Sequence, residues 1–153
     1  MGLDLSYEAV AQEAYATLNC NGAAMGVNIS VLVAPVLANF GSEMLKERFL
    51  RPTIAGDYVT CIGSSEAGGG SDVAALKTRA EREGDEWVIN GSKMWTTNGA
   101  QADWMCLLAN SSKGGDVHRN KSLFCVPMDT PGVTVSRLVL TVSVFVWLHP
   151  LNS

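Results

Sequence analysis

Two short stretches carry the residues of this sequence that could do chemistry. Residues 63–72 form the first, with four glycines in ten residues and three serines, Ser64, Ser65 and Ser71. Backbone N–H groups in such a loop can approach an anion closely, because few side chains lie in the way. The pattern is not GxGxxG, and Gly69 stands where a P-loop would have lysine. An anion-binding loop and a plain surface turn both remain open for this stretch alone.

The second stretch, residues 93–99, places Trp95 between polar residues and follows it with Thr96 and Thr97. We predict a strand over 93–97, which would present an aromatic surface and hydroxyl groups on one short element. A flat heteroaromatic cofactor binds to that combination of groups. The alternative is a core tryptophan beside ordinary β-branched strand residues.

Composition excludes several other classes of function. The chain has 153 residues and a net charge of −4, with its 11 Lys and Arg scattered, which argues against nucleic-acid binding. The two histidines have no neighbouring ligands, which argues against a metal site or a Ser-His-Asp triad. The four cysteines are far apart and are expected to be reduced, buried thiols: Cys20, Cys61, Cys106 and Cys125.

The first third of the chain has helical periodicity. Ser6 is the predicted N-cap of a helix whose apolar face carries Tyr7, Val10, Ala14 and Leu18. Residues 23–40 are almost wholly apolar, as in a helix packed on several sides, and Pro35 is expected to kink or split it.

A third helix and a series of strands complete the prediction. Ser42 would cap a helix over 43–50 that ends before Pro52. Asp72 would cap one helical turn over 73–76. Short strands flank a predicted turn at Gly84-Asp85, and Asn90-Gly91 is the strongest hairpin signal. Helices first and strands second indicate an α+β fold, with a helical N-terminal segment and an antiparallel β-barrel-like part, and not a Rossmann fold.

The ends of the sequence show no targeting or membrane signal. Residues 1–20 contain no Arg, unlike a mitochondrial presequence, so the cytoplasm is the default location. The apolar run 138–147 is half the length of a membrane span. We expect this uncharged tail to destabilise the chain, so that deletion of 140–153 would raise the soluble yield.

Taken together, the two stretches resemble the acyl-CoA dehydrogenase family. The resemblance rests on Ser65-Glu66-Ala67-Gly68-Gly69-Gly70-Ser71-Asp72, followed about twenty residues later by Lys93-Met94-Trp95-Thr96-Thr97-Asn98-Gly99. It extends to about residue 138. It implies that residues 1–57 end an N-terminal helical domain, that residues 58–138 belong to the FAD-binding middle β-domain, and that 139–153 are a divergent hydrophobic tail.

The resemblance also implies roles for individual residues. FAD would be contacted by Ile62, Ser64, Ser65, Gly70, Ser71, Trp95, Thr96 and Thr97. Ser65 would face the pyrimidine edge of the flavin, Trp95 its ring system and Thr97 its N5 atom. Ser71 would reach the pyrophosphate and adjoin the pantetheine arm of acyl-CoA. Ala67 and Gly69 depart from the Pro and Ala that are common in the family.

The implied function is FAD-dependent α,β-desaturation of acyl-CoA thioesters in fatty-acid or branched-chain acyl-CoA oxidation. The implied partners are an electron-transfer flavoprotein and further copies of the chain, and the implied location is the mitochondrial matrix. No residue here matches the family's catalytic Glu. The alternative is therefore a catalytically inactive, truncated isoform that acts only by flavin or subunit binding, and a related oxidase is a third reading.

Overall fold

A computed structural model describes residues 5–17, 21–114, 116–139 and 143–148. In these ranges five helical segments come first, one of them a π-helical turn, and seven strands follow in one curled, half-barrel sheet. The predicted fold class is confirmed. No helix in the described ranges is both long and apolar enough to cross a bilayer.

The first two helices are α1, Leu5–Ala16, and α2, Asn21–Phe40. Helix α1 already includes Ser6, so the predicted N-cap is wrong by at least one residue. Its predicted apolar face is exposed at Tyr7 and Val10, while Leu18 lies outside the described residues. Contact with α2 comes instead from two hydrogen bonds between the Gln12 and Asn28 amides, 2.6 and 3.1 Å long.

Helix α2 is continuous through Pro35, so the predicted split is wrong. It is also not packed on several sides within the described chain, because Leu32 and Phe40 are exposed. One stripe is buried, at Ile29, Val33 and Leu37, with the spacing of four that places residues on one helix face.

The third helical region is longer than predicted. It consists of α3, Glu43–Leu45, a π-helical turn, Lys46–Leu50, and α4, Arg51–Ala55. Ser42 is the N-cap as predicted, since its hydroxyl accepts from the Leu45 N–H. The prediction of an end before Pro52 is wrong, because Pro52 lies in the first turn of α4, where its missing N–H costs nothing.

The strands are β1 Thr60–Gly63, β2 Arg79–Glu83, β3 Glu86–Lys93, β4 Trp104–Asn110, β5 Lys121–Pro127, β6 Val133–Val139 and β7 Ser143–Leu148. Their order is β1-β4-β2-β3-β7-β6, and β5 pairs with β4. Most pairs are antiparallel, but β1 runs parallel to β4, so the sheet is mixed.

The hairpin prediction at Asn90-Gly91 is wrong. Both residues lie inside β3, and the turn between β2 and β3 is Gly84-Asp85, with φ of +62° at Gly84. Gly91 is needed for space. A Cβ there would lie 2.7 Å from Thr78 Cβ and 2.8 Å from Thr78 Cα, so this strand can approach Thr78 only with glycine.

Strand β4 separates two cores. Its Met105 and Leu107 pack with Cys61 and Val126 on one face. Trp104 and Cys106 pack on the other face with α2 and the π-helical turn. The Trp104 indole N–H also donates to the Thr53 hydroxyl over 3.0 Å, which satisfies its buried donor.

Residues 143–148 of the apolar tail form β7, which lies between β3 and β6 and pairs antiparallel with both. Gly91, Ser92 and Lys93 of β3 face Leu148, Trp147 and Val146 in register. The tail therefore covers two strand edges, which argues against the expectation that it only destabilises the chain.

Candidate functional site

The glycine-rich loop begins where β1 ends. Gly63 is buried, and a Cβ there would approach Met105 Sδ and Leu107 Cδ1, so the exit from the strand requires glycine. Glu66 and Gly69 then exchange backbone hydrogen bonds of 2.9 and 3.2 Å, which close a tight turn. As predicted, Asp72 caps a single helical turn, Val73–Ala75, by accepting from the Ala74 N–H.

The Glu66 carboxylate fixes the loop from within. It accepts from the Lys77 N–H over 2.7 Å, from the Thr78 N–H over 2.9 Å, from the Thr78 hydroxyl, and from Lys93 Nζ over 2.9 Å. Burial by itself would raise the pKa of Glu66. The hydrogen bonds from Thr78, Lys93 and Lys77 outweigh it and lower the pKa to about 2.

Lys93, the last residue of β3, is the cationic partner. Its side chain is fully buried, and Nζ donates both to Glu66 and to the Ser64 carbonyl, the latter over 3.0 Å. Burial lowers the pKa of Lys93, and the Glu66 carboxylate opposes that change. One lysine thus joins the second stretch to both residues that flank Ser65.

The second stretch is a turn and not the predicted strand. Strand β3 ends at Lys93, Trp95 has φ of +59° and Asn98 has φ of +66°. Trp95 is 56% exposed, which excludes the alternative of a core tryptophan. Thr96 is fully buried and Thr97 is half-buried, so the two side chains differ in exposure. The turn causes this difference, and not the alternation of side chains along a strand.

Asn98 connects this turn to the rest of the molecule. Its side-chain amide donates to the Gly26 carbonyl of α2 over 3.0 Å and to the Thr60 carbonyl of β1 over 3.4 Å. Its amide oxygen accepts from Gln101 over 3.2 Å. Asparagine tolerates positive φ better than most residues, so it can occupy this position and still bridge two elements.

The structure brings most of the predicted site residues together. The Met94 N–H donates to the Ser65 carbonyl over 2.9 Å, which places the loop directly beside the Trp95–Thr97 turn. Gly70 lies close to Ser65, since a Cβ on Gly70 would be 4.0 Å from the Ser65 hydroxyl. Ser64 and Ser71 are exposed on the same loop. Ile62 is different, because its side chain packs against the core beneath β4.

The exposed groups fit a flat cofactor with a polar edge. The exposed Ser64 and Ser71 and the half-buried Ser65 carry hydroxyl and N–H groups on the loop beside exposed Trp95. Within the part of the chain that the structure describes, the buried Thr96 hydroxyl has no hydrogen-bond partner. An aromatic surface beside several available donors is what a flavin ring requires.

Sequence reasoning assigned no role to Lys93 or Asn98, although both lie in the second stretch. The signal for Lys93 was a lone cation that ends an otherwise alternating strand, opposite an acidic loop residue. Such a pair is visible only as two separate charges, 27 residues apart along the chain. For Asn98, whose partner Gly26 is 72 residues away, the sequence carries no comparable signal.

Among the cavities of the described chain, two have volumes of about 600–700 Å³. One, of about 600 Å³, is polar and lies at the end of β2 and β4 away from the glycine loop, near Arg79 and Lys113. The other, of about 680 Å³, adjoins Asn98 and is lined by uncharged residues of α2, of α4 and of the segment between α4 and β1. The second includes Asn98, which directly follows the Trp95–Thr97 turn in the chain, so it is the one considered for the site.

The described cysteines are poorly placed for thiol chemistry. Cys61, Cys106 and Cys125 are free thiols, and burial raises the pKa of Cys61 to about 12 and that of Cys106 to about 11, which makes both poor nucleophiles. Over the described ranges, no group of three His, Cys, Asp or Glu side chains could bind a metal ion.

Comparison with known proteins agrees with this geometry. Residues 1–57 match the family described as acyl-CoA dehydrogenase, N-terminal domain, and residues 61–145 match acyl-CoA dehydrogenase, middle domain. The mouse (Mus musculus) mitochondrial short-chain specific acyl-CoA dehydrogenase is 38% identical over 89% of this chain. Acyl-CoA dehydrogenase IpdE1 of Mycobacterium tuberculosis is 41% identical over 71% of it.

Solved structures give the same result. A glutaryl-CoA dehydrogenase from Mycobacterium smegmatis superimposes with a TM-score of 0.76 and 32% identity, covering 85% of this chain and 34% of that one. A structure of a glutaryl-CoA dehydrogenase from the same organism in complex with FADH2 superimposes with a TM-score of 0.68 and 34% identity. The match covers 77% of this chain and 31% of that one. The chain spans 33% of the mouse relative and 28% of IpdE1. By sequence and by structure, this chain belongs to the acyl-CoA dehydrogenase family.

Proposed function

We propose that this chain binds FAD between the glycine-rich loop and the Trp95–Thr97 turn, as part of a site for α,β-desaturation of an acyl-CoA thioester. The observation that carries the proposal is the attachment of Ser65 to Met94, which places available loop donors beside an exposed tryptophan. The FADH2 in a structurally similar glutaryl-CoA dehydrogenase supports the choice of flavin.

Each residue has a separate task in this proposal. Trp95 would lie against the flavin ring, Ser65 would donate to the pyrimidine edge and Thr97 would donate to N5. Ser71 and Gly70 face the pyrophosphate, while Ser64 and Ile62 shape the loop exit, and Thr96 supports the turn from beneath. When bound, the flavin supplies a hydride acceptor. Donors fixed at its pyrimidine edge stabilise the negative charge that develops there on reduction.

An acyl-CoA is proposed as substrate because of the family and the cavity beside Asn98. The lining of that cavity carries no charged side chain, which suits an acyl group better than a polar metabolite. Ser71 is proposed to adjoin the pantetheine arm. The mitochondrial short-chain relative supports a proposed mitochondrial setting. Self-association and an electron-transfer flavoprotein as acceptor are proposed from the family resemblance alone.

Removal of the substrate α-proton is assigned to a carboxylate other than those of the glycine loop. Glu66 is bonded to Lys93, two residues before Trp95, but it accepts four hydrogen bonds and its pKa of about 2 makes it a very weak base at neutral pH. This observation favours the second candidate function for the chain by itself, which is flavin or subunit binding without turnover.

Flavin titration and a turnover assay test the two candidates. The purified chain should quench FAD fluorescence in a saturable way and should be yellow after removal of free flavin. Dye reduction with short, medium, long and branched acyl-CoAs in excess FAD should show no turnover by the chain alone. A chain that binds no flavin would refute the proposed function, and rapid turnover would refute the assignment of the base.

A further inference from the structure

The geometry points to Glu66 and Lys93 as a positioning pair that sets the distance between the glycine-rich loop and the Trp95–Thr97 turn. The inference deepens the proposed function and rests on it. Neither side chain touches the flavin in this view. They act through Ser65 and Trp95, by holding the two halves of the site in one arrangement.

Three contacts attach the loop to the end of β3. Lys93 Nζ donates to the Ser64 carbonyl over 3.0 Å and to Glu66 over 2.9 Å, and the Met94 N–H donates to the Ser65 carbonyl over 2.9 Å. Three consecutive loop residues are therefore bonded to two consecutive residues that directly precede Trp95. A shift of Lys93 would move both halves of the site.

Glu66 extends the attachment in the other direction. Its bonds to the backbone of Lys77 and Thr78 fix the far end of the loop, so the twelve residues from Glu66 to Lys77 close on one carboxylate. The residues proposed to face FAD, Gly70 and Ser71, lie within that closed segment. Their position relative to Trp95 thus depends on a single buried carboxylate and its lysine.

A role in positioning explains why the pair is charged. The Lys93 and Glu66 side chains are 0% and 8% exposed, and an apolar pair of similar volume often gives equal or greater stability at buried sites. A charged pair adds directed bonds to four further groups, which apolar side chains cannot make: the Ser64 carbonyl, the Lys77 N–H, and the Thr78 N–H and hydroxyl. Because each charge neutralises the other, the lysine is not available as a counter-ion for the FAD phosphates.

Glu66→Asp is the first test variant. It keeps the charge pair but shortens the side chain by one carbon, so it must draw the loop inward or lengthen the bonds. Glu66→Gln/Lys93→Met is the second, and it removes both charges together, so no uncompensated buried charge remains. The matched control is Glu43→Gln/Lys46→Met, which removes a surface pair with the same 2.9 Å separation.

All variants are prepared as the full chain, and folding is verified by urea denaturation. FAD affinity is measured by fluorescence quenching, and the visible circular dichroism of bound flavin is recorded at saturation. We expect both test variants to bind FAD at least about tenfold more weakly, roughly 1.4 kcal/mol, and to alter the flavin dichroism. The control should match the wild type in both measurements.

The dichroism separates positioning from general stability, because a variant that is only less stable gives the wild-type spectrum once it is folded and saturated. Wild-type affinity and an unchanged spectrum in Glu66→Asp, or in the double variant, would overturn the inference and leave the proposed function intact. Failure of the wild-type chain itself to bind FAD would overturn both.

Discussion

Replacement of Gly91 by alanine should damage both the sheet and the candidate site. A Cβ at this position would lie 2.7 Å from Thr78 Cβ and 2.8 Å from Thr78 Cα, closer than carbon atoms approach in folded proteins. Because Thr78 Cα belongs to the backbone and Thr78 Cβ is the first side-chain carbon, no rotamer change relieves either contact. Strand β3 or Thr78 must move.

The expected cost combines two effects. Overpacking in a close-packed region costs about 1–3 kcal/mol. Displacement of Thr78 also weakens its hydroxyl bond to Glu66, worth about 1 kcal/mol. A total of about 2–4 kcal/mol is a large part of the roughly 5–15 kcal/mol stability of a typical domain. It should lower the urea midpoint by about 1–2 M, given a slope of about 1–3 kcal/mol per molar.

Gly68→Ala, in the glycine-rich loop, is the control, because a Cβ there meets nothing within 4 Å. It should be neutral or slightly stabilising. Urea denaturation of the wild type and both variants, followed by FAD titration of each folded protein, gives the comparison. Equal stability of Gly91→Ala and Gly68→Ala would refute the steric reasoning for β3.

Three further predictions concern pH, the turn and the tail. Since the Glu66 pKa is lowered from 4.5 to about 2, its stabilising contribution is complete above pH 4.5 and is lost as pH falls toward 2. The wild type should therefore lose up to about 3 kcal/mol more than Glu66→Gln over that range in acid-dependent urea denaturation; parallel curves would contradict this. Thr96→Val removes a buried hydroxyl with no partner in the described chain and should raise stability by up to about 1 kcal/mol. Thr97→Val should instead weaken FAD binding by roughly 2- to 12-fold, and equal effects of the two changes on a flavin titration would refute the distinction between them. Deletion of 140–153 removes β7 and uncovers the edges of β3 and β6, so it should lower the soluble yield relative to the full chain; a higher yield would return the tail to its sequence-based interpretation.

Several features could be predicted from the sequence because they depend on local chemistry. The Ser42 and Asp72 caps follow from short polar side chains just before a helical turn. The Gly84-Asp85 turn and the order of helices before strands also follow from neighbouring residues. The family resemblance belongs here too, since it rests on two motifs that can be read directly along the chain.

Local rules failed where a distant element competed with them. Asn90-Gly91 would suit a hairpin turn, but Thr78 passes so close that the glycine is used for space within β3. Pro52 would end a helix in isolation, yet it fits in the first turn of α4, whose end is set by Gly56 with φ of +86°. In both cases a residue type had two structural uses, and packing selected one.

The sequence by itself determined which groups are available: a donor-rich glycine loop, a tryptophan with two threonines, and a fold of helices followed by strands. The tertiary structure decided how they meet. The buried Glu66–Lys93 pair joins positions 27 residues apart, and Asn98 bonds to Gly26 across 72 residues. Such contacts depend on the path of the whole chain, because a charge or an amide specifies what it can bind but not which partner the fold will bring within 3 Å.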